Sequence, residues 1–445
     1  MVTTQYPEPA NSPAPLVSRQ MRVPFILMLL CFAAWGTAAN LTDVLVGVFR
    51  SIFQMSNFQS SLVQFAYYGA YFLLAVPAAL INNKFGYKAG MLIGLGMAAI
   101  GGFLYLPASR MLVYEMFLFA LFVLAAGLSI LETSANPFVL AMGDEPTATR
   151  RLNLAQAFNP IGANLGVLMG AVLILPGLTP ESAKAIMTSE QLLASQEADL
   201  ALVLRPYLLI AAALVVIWIL IAIQKVQLPV QEGSEPVDAG GGTFGRLWRN
   251  RRYRFGVVAQ FFNVAGQTCT WTFTIIYAQD VVGISAEHSG WWLQASLLIF
   301  LVSRFVMVYL LGIFHPARLL LIMAAFGVAC CLTSIFVLNI VGLIAVISIS
   351  AALSLMFPTI YGIALKGLRQ DAKFGAAGLV MAILGGALMP MAHAAVMDAF
   401  GSSWGYIVPA CCLTIVALYA AYDLRSDVPL RRVPAPTTKG GVVDA

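Results

Sequence analysis

The chain has 445 residues, of which 60% are hydrophobic and only 10% are charged, and its net charge is +5. A soluble domain carries about 25% charged residues, and a soluble fold of this length cannot hide so much apolar surface. The composition therefore excludes a soluble globular protein and predicts an all-α protein that crosses the lipid bilayer many times. No nucleic-acid partner is expected, because orientation in the membrane explains where the basic residues fall.

The terminal segments, residues 1–21 and 425–445, are polar and are predicted to be cytoplasmic tails. The first contains four prolines, which is typical of disorder rather than of a cleavable signal peptide. Between the tails, twelve apolar stretches approach the length of about 20 residues that crosses a bilayer. The first six are 22–49, 58–82, 88–107, 112–142, 152–176 and 204–226, and the second six are 253–280, 289–313, 317–337, 340–366, 374–398 and 402–423.

A segment rich in Gly, Pro and charge, residues 228–252, interrupts the run of spans and is predicted to be a cytoplasmic linker. It separates an N-terminal six-helix bundle, residues 22–227, from a C-terminal one, residues 253–424. Pro137 in span four and Pro358 in span ten are each followed by basic residues and a glycine-punctuated helix. This repetition favours two related halves. We therefore predict the 6+6 fold of the major facilitator superfamily, in which substrate binds between the halves near the midplane.

The basic residues are distributed asymmetrically along this topology. With both termini in the cytoplasm, 20 of the 25 Lys and Arg residues lie on the cytoplasmic side, whereas Arg50, Arg110, Lys184 and Arg205 lie outside. This bias follows the positive-inside rule and predicts a multi-pass protein of a bacterial inner membrane. Arg304 lies within span eight, and we expect it to anchor a helix end or extend toward the cytoplasm rather than touch substrate.

Two carboxylic acids lie inside apolar runs, Asp43 in span one and Glu132 in span four. A carboxyl group at bilayer depth costs about 3 kcal/mol on insertion scales, so both are expected to have a function. Moving protons together with a polar solute is the leading hypothesis. Amides and one indole accompany the acids at helical spacing. They are Asn40 in span one, Asn136 in span four, Gln156 and Asn159 in span five, and Gln260, Asn263, Gln267 and Trp271 in span seven.

These side chains suit a sugar, since its hydroxyls need donors and acceptors and its C–H face stacks on an aromatic ring. The alternative is that the amides only join helices by hydrogen bonds. The six cysteines all lie in spans and are expected to pack as small apolar residues. The three histidines lack metal-ligand spacing, so no metal or cofactor is expected, although His393 is a second-line candidate for proton handling. We expect no enzyme, because no nucleophile–base pair, metal cluster or phosphate loop is recognisable.

Several motifs resemble those of the fucose/galactose/glucose symporter family within the major facilitator superfamily. They are NLTD (40–43), LETSANPF (131–138), RLNLAQAFNPIGA (151–163), YKAG (87–90), MTSEQLLA (187–194), AQFFNVAGQT (259–268), RF (304–305) and LGG (384–386). The resemblance implies proton-coupled uptake of a monosaccharide, L-fucose or a related sugar, with no obligate protein partner. It matches Asp43 to the proton-coupling acid and Glu132 to a cavity acid linked to both proton and sugar. Asn40, Gln156 and Asn159 match cavity amides.

The chain departs from the family pattern at a few positions. NLND becomes NLTD, AQTFNSFGA becomes AQAFNPIGA, and the tyrosine before PTI in span ten is Phe357, although Tyr361 lies one turn later. The sugar therefore stays open among fucose, glucose, galactose and mannose, and sodium coupling is an alternative to proton coupling. A proton-driven drug exporter shares the fold but favours a more apolar cavity, and a sugar sensor needs a larger signalling tail.

Overall fold

The structure is a computed structural model that describes residues 15–53, 57–111, 113–184, 186–224 and 242–426. Most of the two predicted tails and residues 228–241 of the predicted linker lie outside the described residues. The side chain of Asp43 also lies outside them, although its backbone belongs to the first helix.

Helices make up nearly all of the described chain. In the first half they are α1 Arg22–Phe53, α2 Asn57–Phe85, α3 Tyr87–Met111, α4 Tyr114–Leu140, α5 Glu145–Gln156, α6 Asn159–Met169, α7 Glu181–Lys184 and α8 Ser189–Ile223. A further helix, α9 Gly242–Arg249, precedes the second half. The second half contains α10 Arg251–Asp280, α11 Ala286–Leu310, α12 Pro316–Phe336, α13 Ile340–Leu353, α14 Met356–Leu365, α15 Ala372–Met381, α16 Gly385–Phe400 and α17 Ile407–Ser426.

Each of the twelve predicted spans coincides with a long helix or with two consecutive helices. Within the described residues, ten helical segments are long and apolar enough to cross a membrane. The helices α2 and α10, with 29 and 30 residues, occupy predicted spans two and seven. The predicted all-α fold class is therefore confirmed.

Prolines and glycines divide several spans. Span five breaks between α5 and α6 just before Pro160, which lacks an N–H group. Span ten breaks between α13 and α14 just before Pro358. Pro137 behaves differently, because it lies inside the last turn of α4 and the helix continues to Leu140. Proline is tolerated within membrane helices when neighbouring groups satisfy the freed carbonyl.

Close helix packing in the first half depends on small residues. A Cβ atom at Gly162 or Gly166 of α6 would overlap backbone atoms of α1, and one at Gly36 of α1 would overlap the Asn159 carbonyl of α6. Without side chains at these positions, the two backbones approach closely, which is the usual basis of tight helix contacts in membranes.

Arg151, in α5, donates to the Leu16 carbonyl, and Arg252, at the start of α10, forms an ion pair with Asp423 near the end of α17. These contacts place both described chain ends at the same end of the bundle, which we call the terminal end. Near it, hydrogen bonds join the two halves: Arg150 Nε donates to the Val308 carbonyl at 3.0 Å, and Asn153 Nδ2 donates to Thr359 Oγ1 at 3.1 Å. The larger hydrophobic core also continues from the first half into α14 and α15. The halves are therefore packed together at the terminal end.

The helix α9 was not anticipated within the predicted linker. Leu247 is buried on its inner side, and Arg246 donates to both carboxylate oxygens of Asp371 at 2.9 and 2.7 Å. The hydrogen bonds to Asp371 raise the pKa of Arg246 above its ordinary value. Because Asp371 lies at the start of span eleven, this ion pair attaches α9 to the second half.

Candidate functional site

The predicted acid Glu132 is enclosed in the middle of α4. Its side chain is 1% exposed, and neither carboxyl oxygen has a hydrogen-bond partner among the described residues. Asn136 lies one turn later on the same helix, and the Glu132 carboxyl interacts electrostatically with the hydroxyls of Tyr71 in α2 and Tyr361 in α14. Glu132 is therefore a buried acceptor with unused capacity, surrounded by polar groups from both halves.

Two further predicted residues join this group. Gln156, at the end of α5, donates through Nε2 to Asn136 Oδ1 at 2.9 Å. Tyr361 is fully buried, and its hydroxyl has no hydrogen-bond partner among the described residues. The structure thus brings Glu132, Asn136, Gln156 and Tyr361 together, and we call these four residues the Glu132 group.

Aromatic residues that the sequence analysis did not select border this group. Trp35 of α1 donates through its indole nitrogen to the Tyr71 hydroxyl at 2.7 Å, and Tyr67 donates to the same oxygen at 3.2 Å. Tyr67 and Tyr71 are four residues apart, and their rings lie 5.0 Å apart. We call Trp35, Tyr67 and Tyr71 the aromatic wall. Two tyrosines at helical spacing within one membrane span are a sequence signal that could have identified it.

The predicted amides of α10 are buried without partners. Gln260 and Asn263 are both fully buried, and none of their side-chain nitrogen and oxygen atoms has a hydrogen-bond partner among the described residues. Gln267, one turn later, is half-buried. No hydrogen bond described here connects these three residues to the Glu132 group.

Trp271 lies in a separate polar cluster of the second half. Its indole nitrogen donates to Ser350 Oγ at 2.9 Å, and Ser350 and Ser296 share a hydrogen bond of 2.6 Å. The indole also meets Phe300 edge to face, with ring centroids 5.0 Å apart. Trp271 is therefore held in one orientation by both a hydrogen bond and an aromatic contact.

The remaining amides donate to backbone carbonyls in the described structure. Asn40 Nδ2 donates to the Gly36 carbonyl within α1 at 3.0 Å, and Asn159 Nδ2 donates to the Phe32 carbonyl at 3.5 Å. Both side chains are half-buried rather than enclosed.

Arg304 does not extend toward the membrane surface. It is 6% exposed, its Nη1 donates to the Gln156 backbone carbonyl at 3.1 Å, and its guanidinium lies 4.7 Å from the centre of the Phe300 ring. Gln156 is the last residue of α5, so the expectation that Arg304 anchors a helix end is met. The helix that it anchors belongs to the other half.

His393 is packed among aromatic rings. Its imidazole stacks on Phe273 with a centroid separation of 4.1 Å and meets Tyr406 edge to face at 5.3 Å. Neither ring nitrogen has a hydrogen-bond partner among the described residues, and its two ring contacts lie outside the Glu132 group.

Unpartnered polar atoms occur at several buried positions in both halves of the described chain. Leaving a buried donor or acceptor unsatisfied costs about 1–3 kcal/mol, so folded proteins contain few of them. Here they include both Glu132 oxygens, the Tyr361 hydroxyl and the amides of Gln260 and Asn263. Such a set is chemically matched to a ligand that has several hydroxyl groups.

Comparison with known proteins identifies the family. The family model described as Major Facilitator Superfamily matches residues 25–383. The chain belongs to the Major Facilitator Superfamily. It is thus a multi-pass membrane transporter and not an enzyme.

Individual Major Facilitator Superfamily members are similar over almost the whole chain. The L-fucose-proton symporter of Haemophilus influenzae is 37% identical over 420 residues, covering 91% of this chain and 97% of that protein. The glucose/galactose transporter of Brucella abortus is 33% identical over 427 residues, covering 94% and 99%. Among solved structures, the transporter FucP in the outward conformation superimposes with a TM-score of 0.85 at 36% identity, covering 91% of this chain and 99% of FucP.

Proposed function

We propose that this protein is a proton-coupled symporter that imports a monosaccharide by alternating access, with L-fucose or a closely related sugar as its substrate. The observation that carries the proposal is the set of enclosed, unpartnered donors and acceptors at Glu132, Tyr361, Gln260 and Asn263. A sugar offers both donors and acceptors from each hydroxyl and can satisfy such atoms, whereas an apolar drug cannot. The similarity to an L-fucose-proton symporter supports this substrate class.

The two acids have different roles in this proposal. Glu132 accepts hydrogen bonds from the sugar and takes part in proton exchange. Asp43 binds the coupling proton, and its protonation permits the loaded carrier to reorient, because an ionised carboxylate is costly to enclose. The substrate also contacts Asn40, Asn136, Gln156 and Asn159 in the first half, and Gln260, Asn263, Gln267, Trp271 and Tyr361 in the second.

The proposal also assigns an orientation. The terminal end faces the cytoplasm, and residues 22–227 and 253–424 form the two bundles that rock about the site. The halves are hydrogen-bonded near that end through Arg150 and Asn153. The conformation described here is then closed at the cytoplasmic side, and one further hydrogen bond, from Gln294 Nε2 to Asn164 Oδ1 at 3.3 Å, joins the halves nearer the opposite side.

A second candidate is a symporter for glucose or galactose, with proton or sodium as the coupling ion. It is favoured by the 33% identity to a glucose/galactose transporter and by Phe357, which stands where the fucose-type motif has a tyrosine. The loss of one hydroxyl from the site alters the hydrogen bonds available to a particular sugar.

Uptake in proteoliposomes tests these proposals. The purified protein is reconstituted, and entry of radiolabelled L-fucose, D-glucose, D-galactose and D-mannose is measured with an inward proton gradient, an inward sodium gradient, or neither. We expect L-fucose to accumulate only with the proton gradient. Accumulation of another hexose supports the second candidate. Accumulation driven by the sodium gradient would show that sodium, rather than the proton, is the coupling ion. Absence of uptake of all four sugars, together with dye efflux from cells expressing the protein, supports a drug exporter instead.

A further inference from the structure

Arg304 connects the predicted sugar-binding groups of the two halves. On its own side, its guanidinium lies against the Phe300 ring, which in turn packs against Trp271. On the opposite side, it donates to the Gln156 carbonyl, whose residue holds Asn136 beside Glu132. The described contacts therefore run from an indole in one half to Asn136 in the other, one turn of α4 from Glu132.

The carbonyl that Arg304 binds is available because of the local sequence. In a regular helix, the carbonyl of residue 156 accepts from the N–H of residue 160. Residue 160 is proline, which has no N–H, and the helix breaks at this point between α5 and α6. The Gln156 carbonyl accepts from Arg304 at 3.1 Å, a normal hydrogen-bond distance.

Separating Arg304 from the Gln156 carbonyl costs free energy, because it leaves a buried guanidinium without this acceptor. Arg304 is almost completely buried, and its Nε atom has no hydrogen-bond partner among the described residues. Charged groups at this depth are expensive unless they are paired. Any motion that moves α11 away from α5 breaks the bond and leaves the guanidinium to find another partner or water.

We propose that Arg304 is a positioning residue and a latch between the halves, which stabilises the conformation closed at the terminal end through the Gln156 carbonyl. Because Gln156 also binds Asn136, a ligand that rearranges the Glu132 group displaces the same residue that holds the latch. This last statement rests on the proposed function, whereas the latch itself does not. The geometry assigns to Arg304 the link between site occupancy and reorientation.

The distance between the halves at the terminal end is the direct readout. Spin labels are placed on cysteines introduced at Glu145 in the first half and Gln370 in the second, both of which are exposed. The exposed native thiol is removed by Cys411→Ala, since the other five cysteines are buried. Double electron–electron resonance then measures the ratio of separated to closed molecules without sugar or an ion gradient.

We expect Arg304→Gln to increase this ratio about tenfold to hundredfold, the range for loss of a hydrogen bond to a charged group. Arg304→Lys, which keeps the charge but donates differently, should give a smaller increase. An unchanged distance distribution in Arg304→Gln would overturn the latch.

Pro160→Ala tests the same carbonyl from the other side. The new N–H at residue 160 can donate to the Gln156 carbonyl along the helix axis and draw it away from Arg304, so the ratio of separated molecules should rise. Combined with Arg304→Gln, it should add little, because both changes remove one bond. Full additivity would show that Arg304 does not act through this carbonyl. If Arg304→Gln does not fold, Pro160→Ala alone tests the proposal. An unchanged distance distribution in that variant would then overturn it.

Arg150→Gln is the matched control. Arg150 also donates across the halves, to the Val308 carbonyl, but this bond does not involve Gln156. Its effect should therefore add fully to that of Pro160→Ala. Because the distance measurement requires no substrate, failure of sugar uptake leaves the latch testable, and failure of the latch leaves the proposed transport activity standing.

Discussion

The sharpest prediction concerns the Glu132 carboxyl and its two unpartnered oxygens. If both oxygens accept sugar hydroxyls, Glu132→Ala removes two hydrogen bonds to a charged group, each worth about 1.5–3 kcal/mol. The two together correspond to a loss of binding of about 100-fold or more. Glu132→Gln keeps the shape and one acceptor oxygen, so it should bind sugar more weakly than the wild type but more tightly than Glu132→Ala. It should lose proton-driven accumulation, because an amide does not exchange a proton in this pH range.

Calorimetric titration of purified protein measures the binding, with the sugar that the uptake panel selects. Uptake into proteoliposomes measures the coupling. Ser134→Ala is the control, since Ser134 lies in the same helix and its hydroxyl donates to Asn82 at 2.8 Å rather than facing the Glu132 group. Wild-type affinity in a folded Glu132→Ala protein would refute the assignment of these oxygens to the substrate.

Three further predictions follow from single residues. Asp43→Asn should abolish sugar-driven alkalinisation while sparing part of the sugar exchange. Full proton-coupled uptake by this variant would show that Asp43 has no part in the mechanism. Lys184 and Asp199 form an ion pair of 2.8 Å with both side chains 1% exposed, so Asp199→Leu should destabilise the protein by about 3–5 kcal/mol. Adding Lys184→Met should recover only part of that loss in thermal unfolding, because Thr179 also loses its acceptor at Asp199; a double variant no more stable than the single one contradicts this. Gly162→Ala should lower the unfolding temperature and the yield of folded protein, because its Cβ overlaps the Ala33 carbonyl of α1; wild-type stability would show that α1 and α6 separate freely.

The helices and the candidate acids were predictable for different reasons. Apolar length alone locates membrane helices, because every backbone group in hydrocarbon must be satisfied within the segment. The acids stand out because ionisable groups at that depth are costly. The pairing of Asn136 with Gln156 was less accessible, since it joins two helices whose relative rotation depends on packing.

The aromatic wall and the ion pair of α9 illustrate what the sequence analysis missed. Trp35 and Tyr71 lie 36 positions apart in the chain and meet through a 2.7 Å hydrogen bond. Arg246 and Asp371 are 125 positions apart and belong to segments that looked like a linker and a loop. Neither contact leaves a local pattern, because each depends on where distant helices end.

The sequence by itself determined that this chain is an all-α membrane protein, and it singled out Asp43 and Glu132 as candidate acids. These conclusions depend on hydropathy, spacing and motifs, which are local properties. Only the tertiary structure decided that Arg304, which the sequence suggested would anchor a helix end, binds the Gln156 carbonyl of the opposite half. The bond exists because Pro160 frees that carbonyl and because the packing of the halves brings α11 against α5, and the second condition cannot be read from either segment alone.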